Sequence, residues 1–283
     1  MRAFDRSICC SVLLLAACTL FGHPAQAREP LPSTTQKALR SALAASNAPT
    51  AGGILFVVGN RVWQPGKHYV KSADWFALAC TVAGCALEPA ELEVNRESWQ
   101  GHYDDRPTWG QKLIFKKSAP SNGKVVAWLR AAKAPSWLVA GDVPTYASTA
   151  APLIRPASDG TLETLVVMPS GAGATLVPML LRESAEGWDG PAFLLQLRSG
   201  NRRQFLAGQL GRCSKEVASR YLLWAGDLDR DGKPDFLVSF VDADGPVHLY
   251  LSGRARGNDL VGLGGTYEAS PYGGECDTAG WLE

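Results

Sequence analysis

The sequence predicts a mainly β fold: two antiparallel β-rich domains, of sandwich or irregular-barrel type, behind one N-terminal helix. Three observations support it. Short apolar runs recur along most of the chain, each bounded by Gly, Pro, Asn, Asp or Ser, the punctuation of strands and turns. The pairs Asp159-Gly160, Asp189-Gly190, Asp231-Gly232 and Asp244-Gly245 each precede a β-prone run, and Asp-Gly accepts the positive φ of tight turns. Only one stretch carries the start and stop signals of a helix.

Arg2 and Arg6 give the chain a short basic start. Ile8 to Phe21 is almost wholly apolar or small, Gly22 and Pro24 break the run, and Ala25-Gln26-Ala27 is a small-x-small site before Arg28. That order predicts a secretory signal over 1–27, with an apolar run too short for a membrane span. A rival address lies inside it: Leu15-Ala16-Ala17-Cys18 fits a bacterial lipobox, which would make Cys18 a lipidated first residue and give the protein a lipid anchor. Cleavage after Ala27 is preferred, because the apolar run continues through Leu20 and Phe21 to the Gly/Pro break. The mature protein is therefore expected in the periplasm or outside the cell, or on the outer membrane if Cys18 is used.

Residues 28–50 read as a linker and short helix, with a capping box at Ser33 and Gln36, an apolar face of Leu39, Ala42 and Leu43, and a stop at Asn47-Ala48-Pro49. A first β-rich domain is assigned to 51–146. Ile54–Val58, Gly59-Asn60 and Arg61–Trp63 predict a hairpin with a two-residue loop. Trp75–Cys80 and Cys85–Glu88 predict a second, Ala90, Leu92 and Val94 alternate, and 111–116 and 124–130 are further strands. Residues 147–160, rich in small residues and proline, are assigned as a linker. The second domain, 161–283, has strands after its Asp-Gly turns at Thr161–Met168, Phe193–Leu197, Phe236–Phe240 and Val247–Leu251, unevenly spaced, unlike a regular repeat array.

Charge and cysteines narrow the setting. Without 1–27, the 28 basic residues lose Arg2 and Arg6, the 27 acidic ones lose Asp5, and 26 of each remain. A balanced chain has no electrostatic footprint for nucleic acid. Four cysteines remain, Cys80, Cys85, Cys213 and Cys276, an even number that predicts two disulfides in an exported protein. Cys80–Cys85 would straddle a turn, and Cys213–Cys276 would close about 60 residues, stabilising by roughly 4 kcal/mol in the chain-entropy model. Zinc fits their spacing poorly, with no nearby histidine pair.

The stretch that speaks most directly to chemistry is Asp227-Leu228-Asp229-Arg230-Asp231-Gly232-Lys233-Pro234-Asp235. Aspartates at alternate positions of a tight loop converge, Gly232 permits the turn, the Lys233 carbonyl offers a backbone oxygen, and Asp235 closes the loop. That is an oxygen-rich donor set of the kind calcium takes. An EF-hand is excluded: its twelfth position should be a bidentate glutamate and is Val238, and Phe236–Phe240 reads as strand rather than helix. Preceded by Leu222-Leu223-Trp224-Ala225-Gly226, residues 222–240 resemble a repeat of the FG-GAP or VCBS type found in integrin α-like propellers and many bacterial exported proteins. The resemblance implies calcium held by Asp227, Asp229, Asp231 and Asp235 with the Lys233 carbonyl. One complete copy is present, so a complete propeller is not expected.

Other candidates have plainer readings. His102 and Asp104 lie in a Gly-flanked loop without a third ligand at metal spacing, and His68 and His248 lie in strand-like runs. Trp128 alternates within an apolar run and is expected in the core, whereas Trp99 and Trp109 flank the polar His102 loop and are expected to be exposed, where aromatic faces can stack on sugar rings. Serine-hydrolase, zinc-protease and phosphate-loop motifs are absent. The expectation is an exported calcium-binding module or envelope-associated protein whose partner is a protein or glycan. The alternatives are a secreted hydrolase acting on cell-wall or glycan substrates and a structural subunit of an envelope assembly.

Overall fold

A computed structural model describes residues 53–59, 61–65, 68–100, 106–118, 122–131, 133, 135–148, 154–156, 162–167, 173–182, 192–206, 222–239 and 246–268. The signal, the predicted helix, Cys18, His102, Asp104, Cys213 and Cys276 lie outside the described residues. What is described is mainly β, as expected, and every strand pairing is antiparallel. Among these residues no helix is long and apolar enough to cross a membrane.

The first sheet holds β1 (Ile54–Val57), β2 (Arg61–Pro65), β3 (Ser72–Thr81), β4 (Gly84–Trp99), β5 (Thr108–Lys117), β6 (Lys124–Ala131) and β7 (Gly141–Val143). Its order is β1-β6-β3-β4-β5-β2, with β7 added to β4. The predicted β3–β4 hairpin is present, its ladder reaching Cys80 opposite Cys85, and these two cysteines form the expected disulfide. The predicted β1–β2 hairpin is not. β1 pairs with β6 and β2 with β5, at opposite ends of the sheet. A flat path of six strands would set those edges about 24 Å apart at ~4.8 Å per strand. Val57 and Arg61 are four residues apart, a reach of at most about 15 Å. The sheet must therefore curl, and it forms a half-barrel.

The chain then makes β8 (Thr145–Ser148), β9 (Ile154–Pro156), β10 (Leu162–Val167), β11 (Gly173–Arg182), β12 (Ala192–Ser199) and β13 (Arg202–Phe205). Strands β9 to β13 form a meander in chain order. Last come β14 (Leu222–Gly226), β15 (Asp235–Ser239), β16 (Val247–Leu251), a 3-10 turn at Ser252–Arg254 and β17 (Gly262–Tyr267). They form a third sheet, β17-β16-β15-β14-β8.

This third sheet is covered on both faces. Trp224, Leu237, Leu249, Leu251 and Tyr267 pack into one apolar cluster with Phe56, Trp75, Leu92, Phe115 and Trp128 of the half-barrel. Neighbouring residues of the same strands, Leu222, Phe236, Val238 and Tyr250, pack into a second with Leu176, Leu195, Leu197 and Leu206 of the meander. All residues of β14, β15 and β16 are consequently buried, and the strands are largely apolar on both faces rather than alternating, with Asp235, Ser239 and His248 as buried polar members. β17 also meets the half-barrel's two edges: the Tyr267 ring lies 6.1 Å from that of Phe56 on β1, and its hydroxyl accepts a hydrogen bond from Gln64 Nε2 on β2 at 3.1 Å.

The expected bounds 51–146, 147–160 and 161–283 do not coincide with the edges of the sheets. β8 runs to Ser148 and pairs with β14, β9 lies inside the linker, and residues 222–267 share a core with residues 54–143.

Candidate metal centre

The acidic loop joins β14 to β15, two strands of the doubly covered sheet. Its entry is set by contact. A Cβ on Gly226 would fall 2.3 Å from the Pro144 carbonyl oxygen and 2.2 Å from the Trp224 ring, so only glycine lets the backbone pass. Asp227 N then donates to Pro144 O at 2.8 Å. Leu228 is fully buried and roots the loop in the core. Arg230 takes a left-handed conformation (φ 60°), costly for a residue with a Cβ, and its Nη2 donates to Asp142 O at 3.4 Å. Gly232 (φ 82°) turns the chain back toward β15.

Backbone amides orient the carboxylates. Asp227 Oδ1 accepts from Asp231 N and Oδ2 from Gly232 N, both at 2.9 Å. Asp229 Oδ1 accepts from Asp231 N at 3.3 Å and Oδ2 from Gly253 N at 3.2 Å. Asp235 is fully buried, and takes Leu228 N at 2.6 Å, Asp229 N at 3.1 Å and Ser252 N at 2.6 Å. Asp227, Asp229 and Asp235 each present an oxygen within 4.8 Å of the others, an arrangement that could hold a metal ion.

Asp231 stands outside this group. It is exposed, and its Oδ1 accepts from the Ser252 hydroxyl at 2.8 Å and from Lys233 N at 2.9 Å. Lys233 is exposed, with Nζ 3.5 Å from Asp231 Oδ2.

The electrostatics show what the convergence costs without a counter-ion. Burial, and then the charge of Asp229, push the Asp235 carboxyl up to about 8 against the pull of its three N–H donors. Burial and then the Asp231 charge raise Asp229 as well. Tyr146 on β8 feels the same field. Burial raises its phenol, as do Asp227, Asp235 and Asp231 in turn, and its hydroxyl is buried with no hydrogen-bond partner among the described residues.

Ser252, Gly253 and Tyr146 were not visible as site residues in the sequence. The first two lie far along the chain, beyond β16, and reach the loop only because β16 pairs with β15. A Cβ at Gly253 would sit 2.5 Å from Asp229 Oδ2, the one local sign that something presses against it.

Among the other candidates, His248 is buried on β16, with Nδ1 3.0 Å from Thr266 Oγ1, and burial lowers it to about 4. His68 is exposed and lies outside the strands. Trp128 is in the core, Trp109 is 59% exposed and Trp99 half-buried. An open cleft of about 620 Å³ lies beside the loop, walled by Asp142–Thr145, Thr81, Glu88 and Asn122, with Glu88 ion-paired to Lys117 at 3.4 Å.

No family model, no curated protein and no solved structure matches this chain.

Proposed function

We propose that this chain is an exported, calcium-stabilised binding module, with the ion held in the β14–β15 loop. The observation that carries the reading is the convergence of Asp227, Asp229 and Asp235 on one point, each oriented by backbone N–H groups. The donors are all hard carboxylate oxygens with no sulfur or imidazole, which favours calcium or magnesium over zinc or copper. Calcium is preferred to magnesium because it tolerates the irregular, oxygen-rich geometry of a nine-residue turn, whereas magnesium demands a near-ideal octahedron. In this proposal Asp227, Asp229 and Asp235 supply one oxygen each, and Asp231 and the Lys233 carbonyl complete the set. The same proposal reads residues 222–240 as a single FG-GAP/VCBS-type repeat. When bound, the ion supplies charge neutralisation and cross-linking rather than reaction chemistry. Its carboxylates are tied through Ser252 and Gly253 to the turn after β16, so the ion would staple three strands of the middle sheet.

Export is supported by residues 1–27 and by the Cys80–Cys85 disulfide, a bond that persists in oxidising compartments. Titration calorimetry of the mature chain with calcium, and in parallel with magnesium, tests the ion. One calcium per chain, bound more tightly than magnesium, is expected, and heat from neither cation would overturn the assignment. Fractionation of wild type and Cys18→Ser tests the address. Unchanged soluble location is expected, and a shift from membrane to soluble fraction would identify a lipoprotein.

A further inference from the structure

The geometry points to a saccharide-binding platform on the outer face of the β2–β5–β4 ribbon, formed by Trp63 and Trp99 and rimmed by Asn95, Glu97 and Lys112. It deepens the binding-module reading, on which it rests, by naming a ligand class and a surface; it does not depend on the metal loop.

Side chains alternate along these strands, and the register fixes which share a face. Val62 lies opposite Leu113, and Val94 opposite Leu113 on the other side, so these point into the half-barrel. Trp63 opposite Lys112, Asn95 opposite Lys112, Glu97 opposite Gly110 and Trp99 opposite Thr108 then share the outer face. A Cβ at Gly110 would fall 2.7 Å from the Trp63 ring, so glycine there lets the indole lie flat across β5. The ring reaches β4, where Nε1 donates to Glu97 O at 3.3 Å, and its centroid lies 5.9 Å from that of Trp99 at 37°. Both tryptophans are half-buried, and neither belongs to either apolar core cluster. Two of the chain's largest apolar side chains therefore form a continuous aromatic surface outside the core, as ligand-facing aromatics do.

The rim selects the ligand. Lys112 Nζ lies 2.9 Å from Glu97 Oε2, and Lys116 Nζ lies 2.8 Å from Glu93 Oε1. Beside the two rings the Lys112 and Glu97 charges offset each other, which suits an uncharged ligand. A neutral pyranose matches both parts: its C–H face stacks on an aromatic ring, and its equatorial hydroxyls reach sideways to carboxylate, ammonium and amide groups. An anionic lipid surface would find Lys112 and Lys116 already paired with Glu97 and Glu93.

The mature full-length chain is incubated with insoluble β-1,4-glucan, with insoluble N-acetylglucosamine polymer and with anionic phospholipid vesicles, and the bound fraction is measured against concentration. Retention on at least one polysaccharide is expected, with Trp99→Ala weakening it about tenfold, the equivalent of roughly 1.4 kcal/mol, and Trp99→Tyr restoring most of it. Trp109→Ala, on the opposite face of the ribbon where Arg96 lies 4.8 Å over the ring, should leave retention unchanged. Polysaccharide binding indifferent to Trp99→Ala overturns this site while leaving the binding-module reading intact. Retention on neither polysaccharide, or Trp99-dependent capture by vesicles alone, overturns the saccharide assignment. The calcium titration is expected to be the same in all three variants.

Discussion

Replacing Asp229 by asparagine should have opposite effects with and without calcium. Asp227, Asp229 and Asp235 place oxygens within 4.8 Å of one another. At an effective dielectric near 20, two full charges at that distance repel by about 3.5 kcal/mol. The apo protein avoids part of this by leaving Asp235, pushed up to about 8, largely protonated at neutral pH. Asp229→Asn removes one charge and keeps a side-chain oxygen for the Gly253 amide, so in EDTA the variant should melt at or slightly above the wild-type temperature. In calcium the order reverses. For a dissociation constant of about 10 µM and 1 mM calcium, binding adds about 2.7 kcal/mol to wild type. For a chain of this size that raises Tm by about 5–10 °C, and the variant should gain little. Differential scanning fluorimetry of both proteins in EDTA, calcium and magnesium reads all the terms. If wild type melts at the same temperature with and without calcium, or if Asp229→Asn lowers Tm equally in both, the carboxylate is only a hydrogen-bond acceptor for the turn and the metal reasoning is refuted.

Three further outcomes are expected. Gly226→Ala should cost about 3 kcal/mol by urea denaturation, since its Cβ meets the Pro144 carbonyl and the buried Trp224 ring; an unchanged midpoint would mean the loop entry is not tightly packed. Phe115→Ala should cost about 3–5 kcal/mol by the same assay, because Phe115 is sandwiched between Trp128 at 4.8 Å and Trp75 at 5.0 Å; a loss below about 1 kcal/mol would contradict that packing. His248 is held neutral, with its folded pKa lowered to about 4 from 6.5, so its neutral form supports folding above pH 6.5 and that support drains away as pH falls toward 4. The stability gap between wild type and His248→Gln should narrow by up to about 3 kcal/mol between pH 7 and pH 4, and a constant gap would place the histidine's titration elsewhere.

The elements that could be read from sequence were those whose cause is local. The Cys80–Cys85 hairpin was legible because both arms and its turn lie within a short window, and the acidic loop because its carboxylates follow one another. The partners of β1 were not. Gly59-Asn60 is a sound turn signal, but a turn says that the chain bends and not which strand it bends toward. Phe56 and Val57 pair with Leu129 and Trp128, over seventy residues away, where a half-barrel interior buries them. Phe236–Phe240 and Val247–Leu251 read as strands, yet nothing local could say that the two faces of these strands meet different sheets. The Ser252 and Gly253 amides have no mark in the sequence for a similar reason: backbone donors carry no residue-type signature, and only the β15–β16 pairing brings them to Asp235 and Asp229.

The doubly covered sheet has a consequence for how freely this sequence can vary. Along β4 and β5 a substitution meets solvent at some positions and the interior at others, so a saturation-mutagenesis profile should rise and fall down these strands. Along β15 and β16 there is no forgiving side. A polar residue at Phe236, Leu237 or Val238 enters one core or the other, and the profile should stay flat and intolerant from Asp235 to Ser239 and from Val247 to Leu251. Variation in the middle sheet is thus pushed into its connections, and of these the acidic turn, bound to Ser252 and Gly253, has little slack of its own.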